Sequence, residues 1–234
     1  MLKRFLNQQL ILVCCLTPTL VAQGTTEAMR REARKYQLTS SGVHLEFAST
    51  REGFSAVLQS AKLPGGITTS FGCESQSGRS LSLPPGLPLA DALEPVVSLE
   101  GIHYWTFQQG VVDLLPANGV PDVLNTTIGH FEWNTGTRVL PTLDQLFASP
   151  SVRSRLKELG LTSALDSIIL LQKAPQMVDG RPVVAANGEE RVVENATLLS
   201  ILNAIVASHG VGMWSYEERR CGSEKTFHIS TVEP

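Results

Sequence analysis

Apolar residues recur along the chain in one spacing that occurs three times. Each set has two apolar residues four positions apart, a glycine eight positions further on, and a β-branched residue directly after it. The sets are Phe54, Leu58, Gly66 and Ile67; Leu89, Leu93, Gly101 and Ile102; and Leu198, Leu202, Gly210 and Val211. Apolar residues four apart form one face of a helix, and glycine suits the positive φ at which helices often end. Each set therefore predicts a helix that ends at its glycine and leads into a strand.

The residues around these helices support this prediction. Ser49 with Glu52 has the pattern of a capping box, Pro88 suits a first helical turn, and Asn195 or Thr197 can cap the third helix. Strand-like runs precede each helix, and a further strand follows the second and third helices. These runs are 43–47, 80–83 and 191–193, then 111–115 and 226–230. The predicted fold class is α/β (α+β), with repeated β-α-β(-β) units that form small mixed sheets and carry their helices on one face.

Aromatic residues strengthen the match between the second and third sets. Trp105 corresponds to Trp214, and Phe107 corresponds to Tyr216. Aromatic residues on strands usually pack in the core, but tryptophan is also common at protein interfaces, and open sheet edges accept partner strands. Tyr104, Trp105, Trp214 and Tyr216 are therefore the candidate binding residues.

The chain between the second and third sets, residues 117–190, shows no such repeat. Its pattern predicts a strand at 124–133, helices at 142–148 and 151–159, and a hairpin at 177–188 that turns at Asp179–Gly180. Residues 167–171 are equally compatible with a strand and a buried helix. The predicted organisation is a polar arm at 25–41, a repeat domain at 43–116, and a second α/β region at 117–231 that ends in a related β-α-β-β unit. We favour a solvated helix for the arm over a contact with an anionic surface.

The first 24 residues have the three parts of a secretory signal peptide. Lys3 and Arg4 give the positive start, residues 10–16 form a short apolar stretch, and Ala22–Gly24 fits a cleavage site. The apolar stretch is much shorter than the roughly 20 residues of a spanning helix. We therefore expect export to the periplasm or the extracellular space, with no membrane span in the mature chain. A lipid anchor on Cys14 or Cys15 is the minor alternative.

Composition narrows the class of protein further. The chain has 234 residues, is 42% hydrophobic and has a net charge of −3. The apolar content is too high for a disordered chain, and the negative charge gives no reason to expect nucleic-acid binding. Removal of the leader takes away two bases and no acids, which makes the mature chain more acidic still.

Two cysteines, Cys73 and Cys221, remain after the leader is removed. In an oxidising compartment two such cysteines tend to pair, and the bond would close a loop of about 150 residues. The alternative is two buried free thiols. The sequence gives the two possibilities equal weight, because it does not place the two Cα atoms within bridging distance.

Candidate chemistry is sparse. Ser154 and Lys157 match the S-x-x-K motif of penicillin-recognising enzymes, but its companion motifs are missing. The five histidines have no metal-ligand spacing with one another or with a cysteine, so no metal site is expected. We expect no catalytic residues and no cofactor.

Residues 43–116 resemble the short periplasmic domain at the N-terminus of secretins and TonB-dependent transducers. The resemblance depends on the segments HLEFASTREGFSAVLQSA, GGITTSF and SLSLPPGLPLADALEPVVSLEGIHYWTFQQGVVDLLP. It implies two βα units packed into a small sheet with two helices, and a non-enzymatic role in docking an envelope protein or passing a signal. This chain has no room after residue 116 for a barrel or a secretin pore. An exported cell-wall hydrolase using Ser154 and Lys157, or a small-ligand carrier with a cleft between its halves, are the alternatives.

Overall fold

The computed structural model describes residues 27–71, 78–163, 177–178, 181–182, 188–210 and 212–232. The helices are α1 (residues 27–33), α2 (Thr50–Ala61), α3 (Leu89–Ser98), α4 (Val139–Phe147), α5 (Pro150–Leu159) and α6 (Leu198–His209). The strands are β1 (Val43–Ala48), β2 (Gly65–Phe71), β3 (Arg79–Leu83), β4 (His103–Gln108), β5 (Val111–Pro116), β6 (Thr127–Asn134), β7 (Thr162–Ser163), β8 (Met177–Val178), β9 (Arg181–Pro182), β10 (Glu190–Thr197), β11 (Met213–Cys221) and β12 (Glu224–Val232). The α/β class predicted from the sequence is confirmed.

The predicted helix starts are observed, with one choice resolved. Ser49 and Glu52 form a reciprocal capping box at the start of α2. Thr197 caps α6 by accepting from the Ser200 N–H, so Thr197 and not Asn195 is the capping residue. Pro88 is the N-cap residue of α3. Side-chain caps thus set where α2 and α6 begin, while α3 begins after Pro88 without a capping hydrogen bond.

Six strands form one mixed sheet in the order β4-β5-β2-β11-β12-β7. The hairpins β4–β5 and β11–β12 are antiparallel, and β2 and β11 join them as parallel neighbours over seven residue pairs. Three further antiparallel pairs in the described residues, β1–β3, β6–β10 and β8–β9, stand apart from this sheet. The small sheets predicted from the sequence are therefore partly merged into a single larger one.

Helices cover both faces of the six-stranded sheet. We call first face the side that carries Trp105, Leu114 and Ile67, and second face the side that carries Asp113 and Trp214, since paired residues in neighbouring strands point the same way. Helices α2 and α3 pack on the first face. Helices α4, α5 and α6 pack in the cluster of the second face. The prediction of helices on one face is wrong for the whole sheet, because the two halves of the chain bring their helices to opposite sides.

Both halves follow the same order of elements, except that the second half also contains α5 and the β8–β9 hairpin. In the first half (residues 43–116), β1 pairs with β3, and the sheet part is β4-β5-β2 with β5 parallel to β2. In the second half (residues 127–232), β6 pairs with β10, and the sheet part is β11-β12-β7 with β12 parallel to β7. The correspondence thus includes β6, α4 and β7, in the stretch where the sequence shows no repeat.

One of the three glycines does not behave as the sequence predicts. Gly101 and Gly210 follow α3 and α6 with φ of 70° and 74°, as expected. Helix α2 instead ends at Lys62, which takes the left-handed conformation with φ of 55°, and Gly66 lies inside β2. The expectation that all three glycines end helices is therefore wrong at Gly66, whose role is to let another side chain approach.

The polar arm is helical but not detached from the first half. Arg30 and Arg34 of α1 form ion pairs with Glu94 and Asp91 of α3, at 2.7 and 3.6 Å. Ala33 is buried, and the backbone of Gln37 bridges to Pro88. The solvated arm is thus corrected to a helix packed on the first half, because its apolar and basic sides both find partners there.

The middle of the chain contains the predicted elements, with shifted bounds. Strand β6 and helices α4 and α5 match the predicted strand and the two predicted helices, and β8 and β9 pair as the predicted hairpin. The turn residues Asp179–Gly180 and the ambiguous segment 167–171 lie outside the described residues.

Candidate functional site

Strand β4 is an edge of the six-stranded sheet, and its second-face side chains are uncovered. Ile102, just before the strand, is 45% exposed, and Tyr104 is 41% exposed. Thr106 is partly exposed and Gln108 is exposed on the same side. The neighbouring β5 is buried at every position. The second face therefore continues from β5 onto β4, where its apolar side chains Ile102 and Tyr104 are exposed.

The backbone of β4 also has an open side. The Ala117 N–H donates to the Ile102 carbonyl at 2.8 Å, so Tyr104 and Thr106 use their backbone groups to bond β5. The backbone groups of His103, Trp105 and Phe107 consequently point away from β5. Among the described residues no strand pairs with this side. The strand contains no lysine and no proline, the residues that commonly block strand addition.

Trp105 lies on the first-face side of this edge and is partly exposed. Its indole N–H donates to Glu94 Oε1 at 3.2 Å, and the Arg30 guanidinium lies 5.8 Å from its ring centre. Arg30 and Glu94 are themselves paired at 2.7 Å. The Arg30–Glu94 ion pair thus contacts the Trp105 ring through both of its members and holds the ring in one orientation. The ring is therefore pre-organised to bind a partner.

A groove of about 350 Å³ runs between this edge and the helices beside it. Its lining comes from Met29 and Arg30 of α1, Glu94 and Val97 of α3, and residues 103–106 of β4. The walls are largely apolar, with one acid and one base at the rim. An extended peptide or a small amphipathic group has the size and chemistry to fit there.

His103 is buried beside this groove. Burial lowers the pKa of its imidazole, while Glu100 at 3.8 Å and the Thr68 backbone act in the opposite direction. A lowered pKa keeps the ring neutral at neutral pH. The His103 ring therefore adds no positive charge to this edge.

Trp214 and Tyr216, the other two candidate binding residues, are fully buried in the core. The Trp214 side chain lies on the second face of the sheet, opposite Gly66 of β2. A Cβ built at Gly66 would be 1.9 Å from the indole ring. Tyr216 stacks with Phe147 and Phe227. Their assignment to an exposed edge is wrong, because β11 lies in the middle of the sheet with β2 on one side and β12 on the other.

A buried polar cluster joins the two halves next to Trp214. The Trp214 indole donates to Asn203 Oδ1 at 2.8 Å, and the Asn203 amide donates to Asp113 Oδ2 at 2.6 Å. Burial raises the pKa of Asp113 to about 7, against the opposing effect of the Asn203 hydrogen bond. The other carboxyl oxygen, Oδ1, has no hydrogen-bond partner among the described residues. Burial and the missing partner of Oδ1 therefore disfavour the charged form of the Asp113 carboxyl and favour its protonated, neutral form.

A second buried carboxylate, Glu218, is satisfied by its own strand. It accepts from the Tyr216 hydroxyl at 2.8 Å and from the Arg220 guanidinium at 2.8 Å. Burial and the adjacent Glu218 charge both raise the pKa of Tyr216 above its ordinary value. The cluster therefore fixes β11 in place and leaves no activated group open to a substrate.

A second groove, of about 380 Å³, lies where the two halves meet. Its lining comes from the second half of α2 and the residues after it, from the start of β11 and from the end of β12. These residues are Ser55, Leu58, Gln59, Lys62, Leu63, Gly212, Met213 and Val232. Its walls are mostly apolar and carry one base. It is the only one of the two grooves that spans both halves.

Ser154 and Lys157 do not form a nucleophile site. Both side chains are exposed on the outer side of α5, whose buried residues are Val152 and Leu156. Neither residue lines either of the two grooves. In the described part of the chain no group of three or more histidine, cysteine or acidic residues is arranged to hold a metal ion.

Cys221, at the end of β11, is disulfide-bonded. Cys73, the partner expected from the sequence, lies outside the described residues. The bond between Cys73 and Cys221 therefore remains a prediction.

The sequence did not show that several of these residues lie close together. Asp113, Asn203 and Gly66 are far apart in the chain. The pairings β5–β2 and β2–β11 place Asp113 and Gly66 in one row with Trp214, and Asn203 reaches this row from α6. Arg30 was visible only as one base in a mixed-charge run. For Asp113, the one available signal was an acid inside the otherwise apolar run Val111–Leu115.

Comparison of the chain with protein-family models, with curated proteins and with solved structures finds no match. Of the helices in the described residues, none has the length and apolar character needed to cross a membrane.

Proposed function

We propose that this protein is an exported, non-enzymatic envelope module that docks a protein partner, or receives a signal from it, through the open edge of β4. The observation that carries the proposal is an edge strand with free backbone groups, an exposed Ile102 and Tyr104, and a pre-oriented Trp105. Sheet edges of this kind bind partner strands, with backbone hydrogen bonds for affinity and side-chain pockets for specificity.

Two further features support a docking role over catalysis. The buried titratable groups Asp113 and Glu218 face the core rather than a groove, and Ser154 and Lys157 lie apart on an outer helix face. The resemblance of residues 43–116 to the short N-terminal domain of secretins and TonB-dependent transducers, inferred from the sequence, also supports this role. That resemblance is to a docking module.

The docking role is tested by site-specific photo-crosslinking in the native envelope. A photoreactive residue in place of Tyr104 is expected to give a discrete adduct with one protein, and the same residue in place of Val192, also exposed but on β10, is the matched control. The captured protein is then purified, and its affinity is measured for the wild type and for Trp105→Ala. Adducts that are the same from both positions, or an affinity that is unchanged in the variant, would contradict the proposal.

Export is tested by fractionation of the same cells and by sequencing the mature N-terminus. We expect the protein in the periplasm or the medium, with a new terminus near Ala22–Gly24. A cytoplasmic protein that keeps Met1 would reject this part of the proposal.

A small-ligand carrier is a second candidate, favoured by the apolar groove between the two halves. Saturable binding of an apolar fluorescent dye, reduced by Met213→Glu but not by Tyr104→Glu, would support a carrier. Failure of the dye to bind would leave only the docking role.

A further inference from the structure

The two halves place a tryptophan in corresponding positions. Trp105 donates its indole N–H to Glu94, eleven residues earlier on α3, and Trp214 donates to Asn203, eleven residues earlier on α6. Each tryptophan lies on the first strand of a hairpin that follows its helix. Strand β4 is therefore the counterpart of β11.

The two strands differ in what lies on their other side. Strand β11 is paired there with β2, which runs parallel to it and places Gly66 opposite Trp214. The indole ring occupies the space that a side chain at Gly66 would fill, with a built Cβ 1.9 Å from its nearest atom. On the corresponding side of β4, no strand is present among the described residues. The pairing of β11 with β2 therefore shows how a parallel strand could pair with the open side of β4.

We propose that β4 binds an extended segment of a partner protein, which runs parallel to β4, has a glycine opposite Trp105 and has a β-branched apolar residue directly after that glycine. The inference depends on the proposed docking function and defines the partner's chemistry. The pairing of β2 with β11 is the template: Gly66 admits the tryptophan, and Ile67 follows it. The residue after the glycine would lie beside Thr106 on the second face, next to the exposed Tyr104.

The occupant is a partner and not a second copy of this chain. The outer strand at the opposite edge of the sheet, β7, is two residues long and contains no glycine. The strand that serves as the template is β2, and it is held between β5 and β11 in the middle of the sheet. A second copy cannot offer it without unfolding. The groove beside β4, about 350 Å³ in volume, provides room on the first-face side of the added strand.

The test uses a synthetic peptide with the sequence of residues 63–71, LPGGITTSF, carrying a lysine tail for solubility, and the full protein. The matched control peptide differs only by valine at the position of Gly66. Binding is followed by tryptophan emission, because Trp105 is partly exposed while Trp133 and Trp214 are buried. We expect the glycine peptide to shift the emission to the blue, and the valine peptide to bind at least tenfold more weakly.

Hydrogen exchange and a spin label locate the peptide. We expect slower exchange at the amides of His103, Trp105 and Phe107, with no change at the amides of β11, which excludes strand exchange at the internal site. A label on the peptide N-terminus should broaden signals near His103, and a label on its C-terminus should broaden signals near Gln108. Trp105→Ala lacks the fluorescent reporter, so its binding is followed by hydrogen exchange, and we expect the affinity to be at least tenfold weaker.

Several results would overturn this inference. They are no binding of the glycine peptide at 1 mM, equal binding of the two peptides, an antiparallel orientation, or self-association through β4 at the same concentrations. The docking function would survive any of them if the crosslink from position 104 still identifies a partner, so the two proposals fail separately.

Discussion

The close contact of Gly66 with Trp214 is the most sensitive packing position at the residue scale. A Cβ at position 66 would lie 1.9 Å from the indole, so the ring or the strand must move. We expect Gly66→Ala to lower the free energy of unfolding by at least about 2 kcal/mol, as overpacked cores do. Urea denaturation measures the change. Gly129→Ala is the control, because Gly129 has no atom within 4 Å of a built Cβ, and this variant should be unchanged or slightly more stable.

Asp113 should make stability depend on pH, since burial raises its pKa from 3.8 to about 7. Between these two values the folded protein keeps the proton that the unfolded chain has lost. The free energy of unfolding should therefore fall as the pH rises from 4 to 7, by up to about 4 kcal/mol, and level off above pH 7. Asp113→Asn keeps the shape and the acceptor for Asn203, and it should flatten this part of the profile.

The measurement is a set of urea denaturation curves for the wild type and Asp113→Asn at pH 5, 6, 7 and 8. The stability gained by the variant should grow across this series. A difference between the two proteins that is the same at every pH would show that Asp113 does not titrate as its burial requires.

At the scale of elements, the register of β2 and β11 makes a prediction about the disulfide. The last pair of this parallel ladder is Phe71 with Arg219, and Cys73 and Cys221 each follow two residues later in the sequence. We expect Cys221 to be bonded to Cys73. Closure of a loop of about 150 residues should contribute roughly 4–5 kcal/mol on the chain-entropy model.

This pairing is checked by peptide mapping of the non-reduced protein and by two variants. Cys73→Ser and Cys221→Ser should each expose one free thiol and lower stability by the same amount, and the double variant should be no less stable than either. Unequal losses in the single variants would argue for a different partner.

At the scale of the whole molecule, the two halves should unfold as one unit. The sheet runs through both halves, Arg51 of α2 bonds Glu217 and Ser230 of the second half at 2.6 and 3.0 Å, and Asn203 of α6 bonds Asp113 of the first half. We expect a single calorimetric transition whose calorimetric and van't Hoff enthalpies agree. Two resolved transitions would show that the halves are separate folding units.

The sequence by itself determined the local elements. Helical spacing, the Ser49–Glu52 capping box, Thr197 and the two helix-ending glycines Gly101 and Gly210 depend on interactions within a few residues, so a reader of the chain can find them. The tertiary structure decided what the chain alone could not: that β2 pairs with β11, that Trp214 is buried while Trp105 stays at an edge, and that residues 127–163 repeat the first half without its pattern. These outcomes depend on which strands become neighbours. Strand pairing is determined by the burial of both sheet faces and by contacts between residues more than a hundred positions apart, and neither can be read from a local sequence pattern.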